Sequence, residues 1–292
     1  MKAPNFIRPP QRVVSLVPSM TENVITLGFG DTLVARTEFC VYPANRVAEI
    51  PMVGGTKNPD PEKIIALKPD LVLANQEENT PEIIRHLEDA GLTVWLTFPQ
   101  TIQQALEDLR TLTGFFQNPQ AFLMLDTLER EVEWMERARE AREDEGQLPR
   151  VFCPIWQDET NGQRWWMTFN QFAYPHDVVR LLGGENVFAE RERRYPLDAD
   201  LGLGDAIPAG ERDTRYPRVT RAEVLAQNPD YILLPTEPYA YSETDLDDCA
   251  QVFAETNAVK KGNVYLVDGS LLTWHGTRLG MALRELGGMF SD

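Results

Sequence analysis

Short apolar runs alternate with amphipathic stretches along most of the chain. The runs have the hydrophobic pattern of buried strands, and the stretches between them repeat apolar residues at three- and four-residue steps, as helices do. Strands that alternate with helices of this length predict parallel sheets covered on both faces. The predicted strands are 12–17, 32–36, 71–74, 93–97, 150–156, 164–169, 231–234 and 264–267, and the predicted helices are 19–27, 62–67, 81–90, 102–116, 171–182, 221–226, 246–255 and 276–289.

A longer helix is predicted over residues 118–146. Asn118 is a good N-cap, Pro119 suits the first helical position, and Gly146 with Pro149 marks the end. At about 1.5 Å per residue such a helix would be about 40 Å long. One interpretation is a surface helix on a single domain, but the flanking pattern favours a rigid helix that joins two lobes. Its apolar stripe consists of Phe122, Leu125, Leu128, Val132 and Met135.

Two segments on either side of this helix repeat one pattern. Residues 59–74 and 217–235 each contain a helix with an early Glu, an x-Pro-Asp turn and a buried strand. The repeat is too short for a solenoid and favours two similar lobes. The predicted fold class is therefore α/β, with two Rossmann-like lobes and parallel sheets. The predicted domains are an N-terminal lobe (1–117), a linking helix (118–146) and a C-terminal lobe (147–292).

The candidate binding residues follow the predicted strands. In such sheets ligands bind beyond the carboxyl ends of the strands, and two facing lobes would enclose a cleft there. Aromatic side chains with a few polar groups suit a large planar ligand. The other interpretation is structural: Trp156 and Trp274 would pack at strand ends, and His275 would cap a helix. The expected ligand-binding residues are Glu38, Cys40, Tyr42, Thr56, Lys57, Asn75, Glu77, Trp156, Trp165, Glu237, Tyr239, Trp274, His275 and Arg278.

Acidic residues lie in the first turn of three of the predicted helices. Glu22 and Glu223 follow Ser19 and Thr220 at the spacing of a capping box. Glu62 also lies in a first turn, where the helix dipole favours a negative charge. A second interpretation is that Glu62 and Glu223 dock onto arginines of a partner protein. The residues alone leave these two interpretations open.

Charge and residue counts exclude several classes of protein. A net charge near −17 argues against a nucleic acid or an anionic membrane surface as partner. The three cysteines lack CxxC spacing and the three histidines are scattered, so we expect neither a disulfide framework nor a metal site. The sequence contains no G-x-S-x-G, H-E-x-x-H or P-loop motif, so we predict no catalytic residue, no enzyme activity and no intrinsic cofactor.

The sequence also bears on location. No apolar run reaches the roughly 18 residues that cross a membrane, so we do not expect membrane insertion. Residues 1–11 lack the hydrophobic core of a signal peptide. We expect a cytoplasmic location if this start is native, and a periplasmic or other extracytoplasmic location if a leader was removed.

Several motifs together resemble one known family. Residues 12–22 (RVVSLVPSMTE), 37–43 (TEFCVYP) and 53–74 (VGGTKNPDPEKIIALKPDLVLA) resemble the first lobe of the helical-backbone substrate-binding proteins. Those proteins serve ABC importers of cobalamin, haem and iron–siderophore chelates, and the cobalamin-binding members are the most similar. The second-lobe resemblance is carried by residues 181–188 (LLGGENVF), 216–234 (YPRVTRAEVLAQNPDYILL) and 264–279 (VYLVDGSLLTWHGTRL).

The resemblance implies a receptor of two lobes and one spanning helix that holds a metal chelate in the cleft. It places Glu62 and Glu223 where family members engage arginines of the membrane permease. Tyr42 matches an aromatic residue that contacts the corrin ring. Thr56 and Lys57, in contrast, occupy a loop where cobalamin-binding members have a ligand-contacting tryptophan.

The function that follows is the binding of a metal chelate, a corrinoid first and a ferric siderophore or haem next, and its presentation to an ABC importer. Arg278 and Lys57 would meet its carboxylate or phosphate groups, and the aromatic side chains would cover its flat face. The chain resembles a leaderless subgroup, and residues 197–215, rich in Gly, Asp and Pro, depart from the family as an inserted surface loop. The alternative is a cytoplasmic enzyme or metallochaperone of tetrapyrrole or metal metabolism on the same fold.

Overall fold

A computed structural model describes residues 3–146 and 148–290 and divides the chain into two compact units. The first unit runs to Glu131 and also includes Trp274–Gly280. The second contains Val132–Thr273 and the chain from Met281 onward. The sequence assigned residues 274–280 to the C-terminal lobe, whereas the structure groups them with the first unit.

The first unit is built on one parallel sheet with the strand order β2-β1-β3-β4. Its core lies where the buried faces of these strands meet the helices, and it includes Val14, Val72, Ile84 and Leu87. The elements up to the long helix are β1 (Val13–Ser15), α1 (Pro18–Thr26), β2 (Leu33–Arg36), α2 (Ala44–Val47), α3 (Pro61–Ala66), β3 (Leu71–Asn75), α4 (Pro81–Asp89), β4 (Val94–Thr97) and α5 (Ile102–Phe116), with a 3-10 turn at Gly30–Thr32.

The long helix α6 (Pro119–Asp144) confirms the prediction over residues 118–146. It begins in the first unit and ends in the second, because the boundary between the units falls at Glu131 and Val132. Of the predicted stripe, Leu125, Leu128, Val132 and Met135 are buried and Phe122 is half-buried. Leu123, Met124 and Trp134 are exposed.

The second unit contains a parallel sheet with the order β11-β10-β5-β8 and an antiparallel sheet with the order β6-β7-β9. The two copies of the sequence repeat form α3 with β3 and α9 with β10, in separate sheets. The remaining elements are β5 (Arg150–Phe152), β6 (Trp156–Thr160), β7 (Gln163–Met167), α7 (Tyr174–Leu181), β8 (Glu185–Asn186), α8 (Leu197–Asp200), β9 (Arg218–Thr220), α9 (Arg221–Gln227), β10 (Tyr231–Pro235), α10 (Glu243–Val252), α11 (Asn257–Lys261), β11 (Val264–Val267), α12 (Ser270–Thr273) and α13 (Arg278–Leu286).

The single strand predicted over 150–156 is wrong, because β5 ends at Phe152 and β6 starts a separate antiparallel hairpin at Trp156. Proline at position 154 supplies no N–H for a ladder, which favours the break. The hairpin turns at Asn161 and Gly162, both with positive φ (53° and 76°). Asn-Gly between two strands is a strong hairpin signal that the sequence analysis did not use.

Two predicted helix starts also differ from the structure. The helix predicted over 171–182 begins only at Tyr174, because the Asn170 side chain and carbonyl accept hydrogen bonds from the N–H groups of Phe172 and Ala173 and form a turn. The helix predicted over 276–289 begins at Arg278.

Within residues 3–146 and 148–290, no helix combines the length and the apolar character that a membrane span requires.

Candidate functional site

An aromatic face in the first unit brings together Tyr42 and Trp274, which are far apart in sequence. Their rings meet edge to face, with centroids 5.8 Å apart and planes at 69°. The Arg278 guanidinium lies over both rings, 4.7 Å from the Tyr42 centroid and 4.8 Å from that of Trp274. Tyr42 is 44% exposed, and Phe39 and Val41 beside it are also exposed. Trp274 is buried (9% exposed), so the apolar ring surface that this face offers to a ligand comes from Tyr42.

A buried ion pair holds Arg278 in this position. Its Nε and Nη2 donate to the two carboxylate oxygens of Glu22, each at 2.7 Å. The side chains of Arg278 and Glu22 are only 4% and 10% exposed. The capping box predicted for Ser19 and Glu22 is wrong: α1 begins at Pro18 and has no side-chain cap bond. Glu22 instead positions Arg278, a role that the sequence analysis missed.

Asn23, the next residue along α1, fixes the turn that carries Trp274 and Arg278. Its Nδ2 donates to the His275 carbonyl at 3.1 Å, and its Oδ1 accepts from the N–H and the hydroxyl of Thr277, each at 2.8 Å. Gly276 has a φ of +101°, and a Cβ there would collide with the Asn23 carboxamide. His275 therefore contributes its carbonyl to this turn.

Two loops of the first unit carry the polar residues predicted from its strands. The Lys57 ammonium donates to the Glu77 carbonyl oxygen. Asn75 is buried, and its Oδ1 accepts from the Glu77 N–H at 2.8 Å. Asn79 links the loops, because its Nδ2 donates to the Thr56 carbonyl at 2.8 Å. Lys57 and Glu77 thus lie together, whereas Asn75 shapes the backbone beneath them.

Burial changes the acidity of two groups near these loops. It raises the pKa of the Glu78 carboxyl, against the lowering effects of the Lys57 charge and the Thr56 hydroxyl. Burial also raises the pKa of the Cys40 thiol, whose Sγ lies 3.1 Å from the Thr37 hydroxyl. Cys40 is fully buried, and its neighbour Glu38 is exposed.

In the second unit, a smaller aromatic pair is formed by Trp156 and Tyr239. Their rings meet edge to face with centroids 5.5 Å apart, and Trp156 is 39% exposed. The Tyr239 hydroxyl accepts from Gln157 Nε2 at 3.1 Å. Glu237 accepts from the Thr273 hydroxyl at 3.1 Å. Trp165, predicted to bind ligand, is buried in β7 and donates its indole N–H to the Thr160 hydroxyl at 3.0 Å.

The two acids of the repeat have unequal surroundings. Glu62 projects into solvent with its side chain 80% exposed, and its carboxylate lies 3.6 Å from His86 Nε2. Glu223 forms the predicted capping box with Thr220 and also accepts from Arg191 Nε at 3.1 Å. The capping interpretation therefore applies to Glu223. In α3 the N-cap is Asp60, whose side chain accepts from the Lys63 N–H.

No group of three His, Cys, Asp or Glu side chains among the described residues is arranged to hold a metal ion.

The chain thus consists of two α/β units that share one long helix, with exposed Tyr42 in the first unit and exposed Trp156 in the second. The family model described as periplasmic binding protein matches residues 13–271, and the chain belongs to this family. A curated relative, the vitamin B12-binding protein of Vibrio cholerae, is 28% identical over 266 residues, which cover 90% of this chain and 83% of the relative.

Solved structures have the same fold. The periplasmic vitamin B12 binding protein BtuF of Vibrio cholerae matches with a TM-score of 0.74 and 23% identity, covering 97% of both chains. The apo form of the periplasmic heme-binding protein RhuT from Roseiflexus sp. RS-1 matches with a TM-score of 0.73 and 21% identity, covering 97% of this chain and 98% of RhuT. The predicted fold class and family are thereby confirmed.

Proposed function

We propose that this chain is a binding protein for a metal chelate, a corrinoid first and a ferric siderophore or haem next, and that it presents the chelate to an ABC importer. The observation that carries the proposal is the face formed by Tyr42 and Trp274 around Arg278. Family membership supports it, as do relatives and structures named for vitamin B12 and heme binding.

The chemistry of the first unit suits the rim of such a ligand. The exposed Tyr42 ring would cover part of a flat apolar face. Lys57 is exposed beside Glu77 and would meet a carboxylate or phosphate. Arg278 is already bound to Glu22, so its role is to hold the two rings and not to meet ligand charge. Trp156 and Tyr239 would form the ligand-contacting aromatic surface of the second unit.

For the importer, we propose docking through Glu62 and Glu223, one acid in each unit. Glu62 is free to reach an arginine of a permease with little rearrangement, because its side chain is 80% exposed. Glu223 would have to exchange its bond to Arg191 for one to the partner. Charge reversal of Glu62 should therefore weaken association with a permease in reconstituted vesicles and leave chelate affinity unchanged.

The test of ligand binding is a titration of purified protein with cyanocobalamin, cobinamide, haemin and a ferric siderophore, followed by absorbance and by melting temperature. Saturable binding with a rise in melting temperature is expected for at least one chelate, since a ligand at about 100 times its dissociation constant stabilises the folded state by about 2.7 kcal/mol. Metal-free protoporphyrin is the control for non-specific adsorption of a flat ring. Absence of stabilisation by every chelate would contradict the proposal.

A further inference from the structure

The Tyr239 ring of the second unit has a fixed position. Its centroid lies 5.5 Å from that of Trp156 and 4.6 Å from that of Tyr241. The backbone N–H of Tyr239 donates to the Ile155 carbonyl at 3.2 Å, and its carbonyl accepts from the Tyr241 N–H at 2.9 Å. Because the ring is held on several sides, its hydroxyl also has a defined place beside the exposed Trp156.

The carboxamide of Gln157, the residue after Trp156, is held by a charged side chain at each end. Its Oε1 accepts from the Arg164 guanidinium, which also donates to both carboxylate oxygens of Asp248. Its Nε2 donates to Asp245 Oδ1 at 3.1 Å. The other oxygen of Asp245 accepts from the N–H and the hydroxyl of Ser242, so this carboxylate is itself fixed at the start of α10.

These charged neighbours determine which way the Gln157 amide faces. An arginine side chain can only donate hydrogen bonds, and an ionised carboxylate can only accept them. The amide oxygen therefore faces Arg164 and the amide nitrogen faces Asp245. A reversed amide would bring its NH₂ group against the guanidinium and its oxygen against the carboxylate, and would lose both hydrogen bonds.

The orientation of the amide in turn determines what the Tyr239 hydroxyl can do. Gln157 Nε2 donates to the hydroxyl oxygen at 3.1 Å, in addition to its bond to Asp245. A phenol can accept and donate, so a hydroxyl that accepts from Gln157 has its own proton left to donate. Within residues 3–146 and 148–290, the bond from Gln157 is the one hydrogen bond of this hydroxyl. Tyr239 therefore presents a donor.

We propose that Gln157 makes Tyr239 a hydrogen-bond donor toward the ligand, so that the second unit recognises an acceptor oxygen at the rim of the chelate. Amide carbonyls and carboxylates are such acceptors, and a group that can only donate, such as an ammonium, is disfavoured. Gln157 is a positioning residue, because it acts through Tyr239. The inference rests on the proposed function and extends it by naming the kind of group that the ligand presents.

The experiment measures the affinity of the full chain for cyanocobalamin, cobinamide, ferrichrome and haemin by calorimetric titration. The first three carry amide carbonyls, and haemin carries carboxylates. For a chelate that binds the wild type, Tyr239→Phe keeps the ring and removes the donor. We expect binding to weaken about threefold to tenfold for an amide acceptor and about twentyfold or more for a carboxylate, since hydrogen bonds to charged groups are stronger. The control is Tyr265→Phe, which removes a hydroxyl from another tyrosine of the same unit.

A double-mutant cycle separates the positioning role of Gln157 from a merely structural one. Gln157→Glu supplies acceptors only, so it would bind the Tyr239 proton and withdraw it from the ligand. We expect this substitution to weaken binding at least about threefold in the wild type and less than about twofold in Tyr239→Phe, because the donor is then already absent. Gln163→Glu adds the same charge to the same hairpin and is the matched control. An equal loss in both backgrounds would overturn the role of Gln157.

A second measurement uses the wild-type chain with ¹³C-labelled tyrosine and does not depend on how the variants fold. Donation of the hydroxyl proton moves the Cζ resonance of a tyrosine toward that of a tyrosinate. Saturation with the chelate, with gallium in place of ferric iron where iron is present, should move the Tyr239 resonance in this direction and leave that of Tyr265 in place. No shift of Tyr239, or a shift in the opposite direction, would overturn the proposal.

The two levels of the account fail in different ways. If none of the four chelates binds the wild type, the proposed function is overturned and this inference with it. If a chelate binds the wild type and binds Tyr239→Phe equally tightly, this inference alone is overturned and the proposed function stands.

Discussion

The Glu22 carboxylate and the Arg278 guanidinium form a buried ion pair with two bonds of 2.7 Å, although 256 residues separate them. Through this pair, α1 fixes the segment that carries Trp274. The aromatic face thus depends on a charged contact that is almost entirely shielded from solvent. Removing one partner of such a buried pair strongly destabilises the folded state, because the other charge stays buried without compensation.

Glu22→Gln should therefore lower the free energy of unfolding by about 3 kcal/mol, the magnitude typical when one partner of a buried pair is removed. Urea unfolding, monitored by circular dichroism, measures the change. The matched control is Asp31→Asn, which removes an acid from the exposed pair with Arg46. Exposed pairs contribute about 0–1 kcal/mol, so equal effects of the two substitutions would contradict the role given to Glu22.

The turn that contains Gly276, beside this ion pair, gives a second prediction about stability. Gly276 and Gly28 both have positive φ, +101° and +88°, but only Gly276 would bring a Cβ against neighbouring atoms, those of Asn23. Gly276→Ala should be more destabilising than Gly28→Ala by at least about 1 kcal/mol, since both substitutions strain the backbone and only one collides with a hydrogen-bonded side chain. Equal melting temperatures for the two variants would refute the close approach.

The pH dependence of stability should have a contribution from Asp108. Burial raises the pKa of this carboxyl from 3.8 to about 6, and the nearby Glu107 charge adds to the rise. The folded state therefore binds the proton more tightly than the unfolded state, so the stability contributed by Asp108 increases as the pH falls through about 6 and is lost above it.

Asp108→Asn should accordingly raise the melting temperature more at about pH 7.5 than at about pH 4.5, because only the ionised form carries the penalty. Asp89→Asn, at an exposed site, is the control for removal of an acid from a negatively charged protein. The difference in melting temperature between Asp108→Asn and wild type is the quantity to compare. The same difference at both pH values would contradict a raised pKa of Asp108.

Substitution of the two acids of the repeat, Glu223 and Glu62, should change the free energy of unfolding by different amounts. Glu223→Gln weakens the charged part of a capping box and the bond to Arg191, so we expect a loss of about 1 kcal/mol. Glu62→Gln changes an exposed side chain and should stay within about 0.5 kcal/mol. Chemical unfolding of the two variants measures the difference, and a larger loss for Glu62→Gln would reverse the interpretation.

Local sequence patterns predicted the regular elements well where one physical signal dominated. The helix Ile102–Phe116 and the strand Val264–Val267 have the bounds expected from their apolar spacing. The hairpin at Asn161 and Gly162 was missed because its first strand, Trp156–Thr160, is mostly polar and only its first residue fell within a predicted strand. Its signal, an Asn-Gly pair between the two predicted strands, was present in the sequence.

The candidate site was less predictable, since its contacts join distant parts of the chain. Glu22 fits a capping box by spacing, and only the position of Arg278 shows that its carboxylate has another partner. Trp165 follows the same aromatic pattern as Trp156, yet one is buried in the sheet and the other is exposed. Sequence spacing does not determine such differences, because they depend on which face each strand presents to its neighbours.

The most direct test of the account compares chelate affinity in wild type, Tyr42→Ala and Tyr265→Ala, using the chelate that binds in the titration. The control is well matched, because Tyr265 is 39% exposed and Tyr42 is 44% exposed. We predict that Tyr42→Ala weakens binding about tenfold, corresponding to about 1.4 kcal/mol of lost ring contact, while Tyr265→Ala leaves it unchanged. Unchanged affinity in Tyr42→Ala, with the protein still folded, would contradict the claim that this aromatic face binds the ligand.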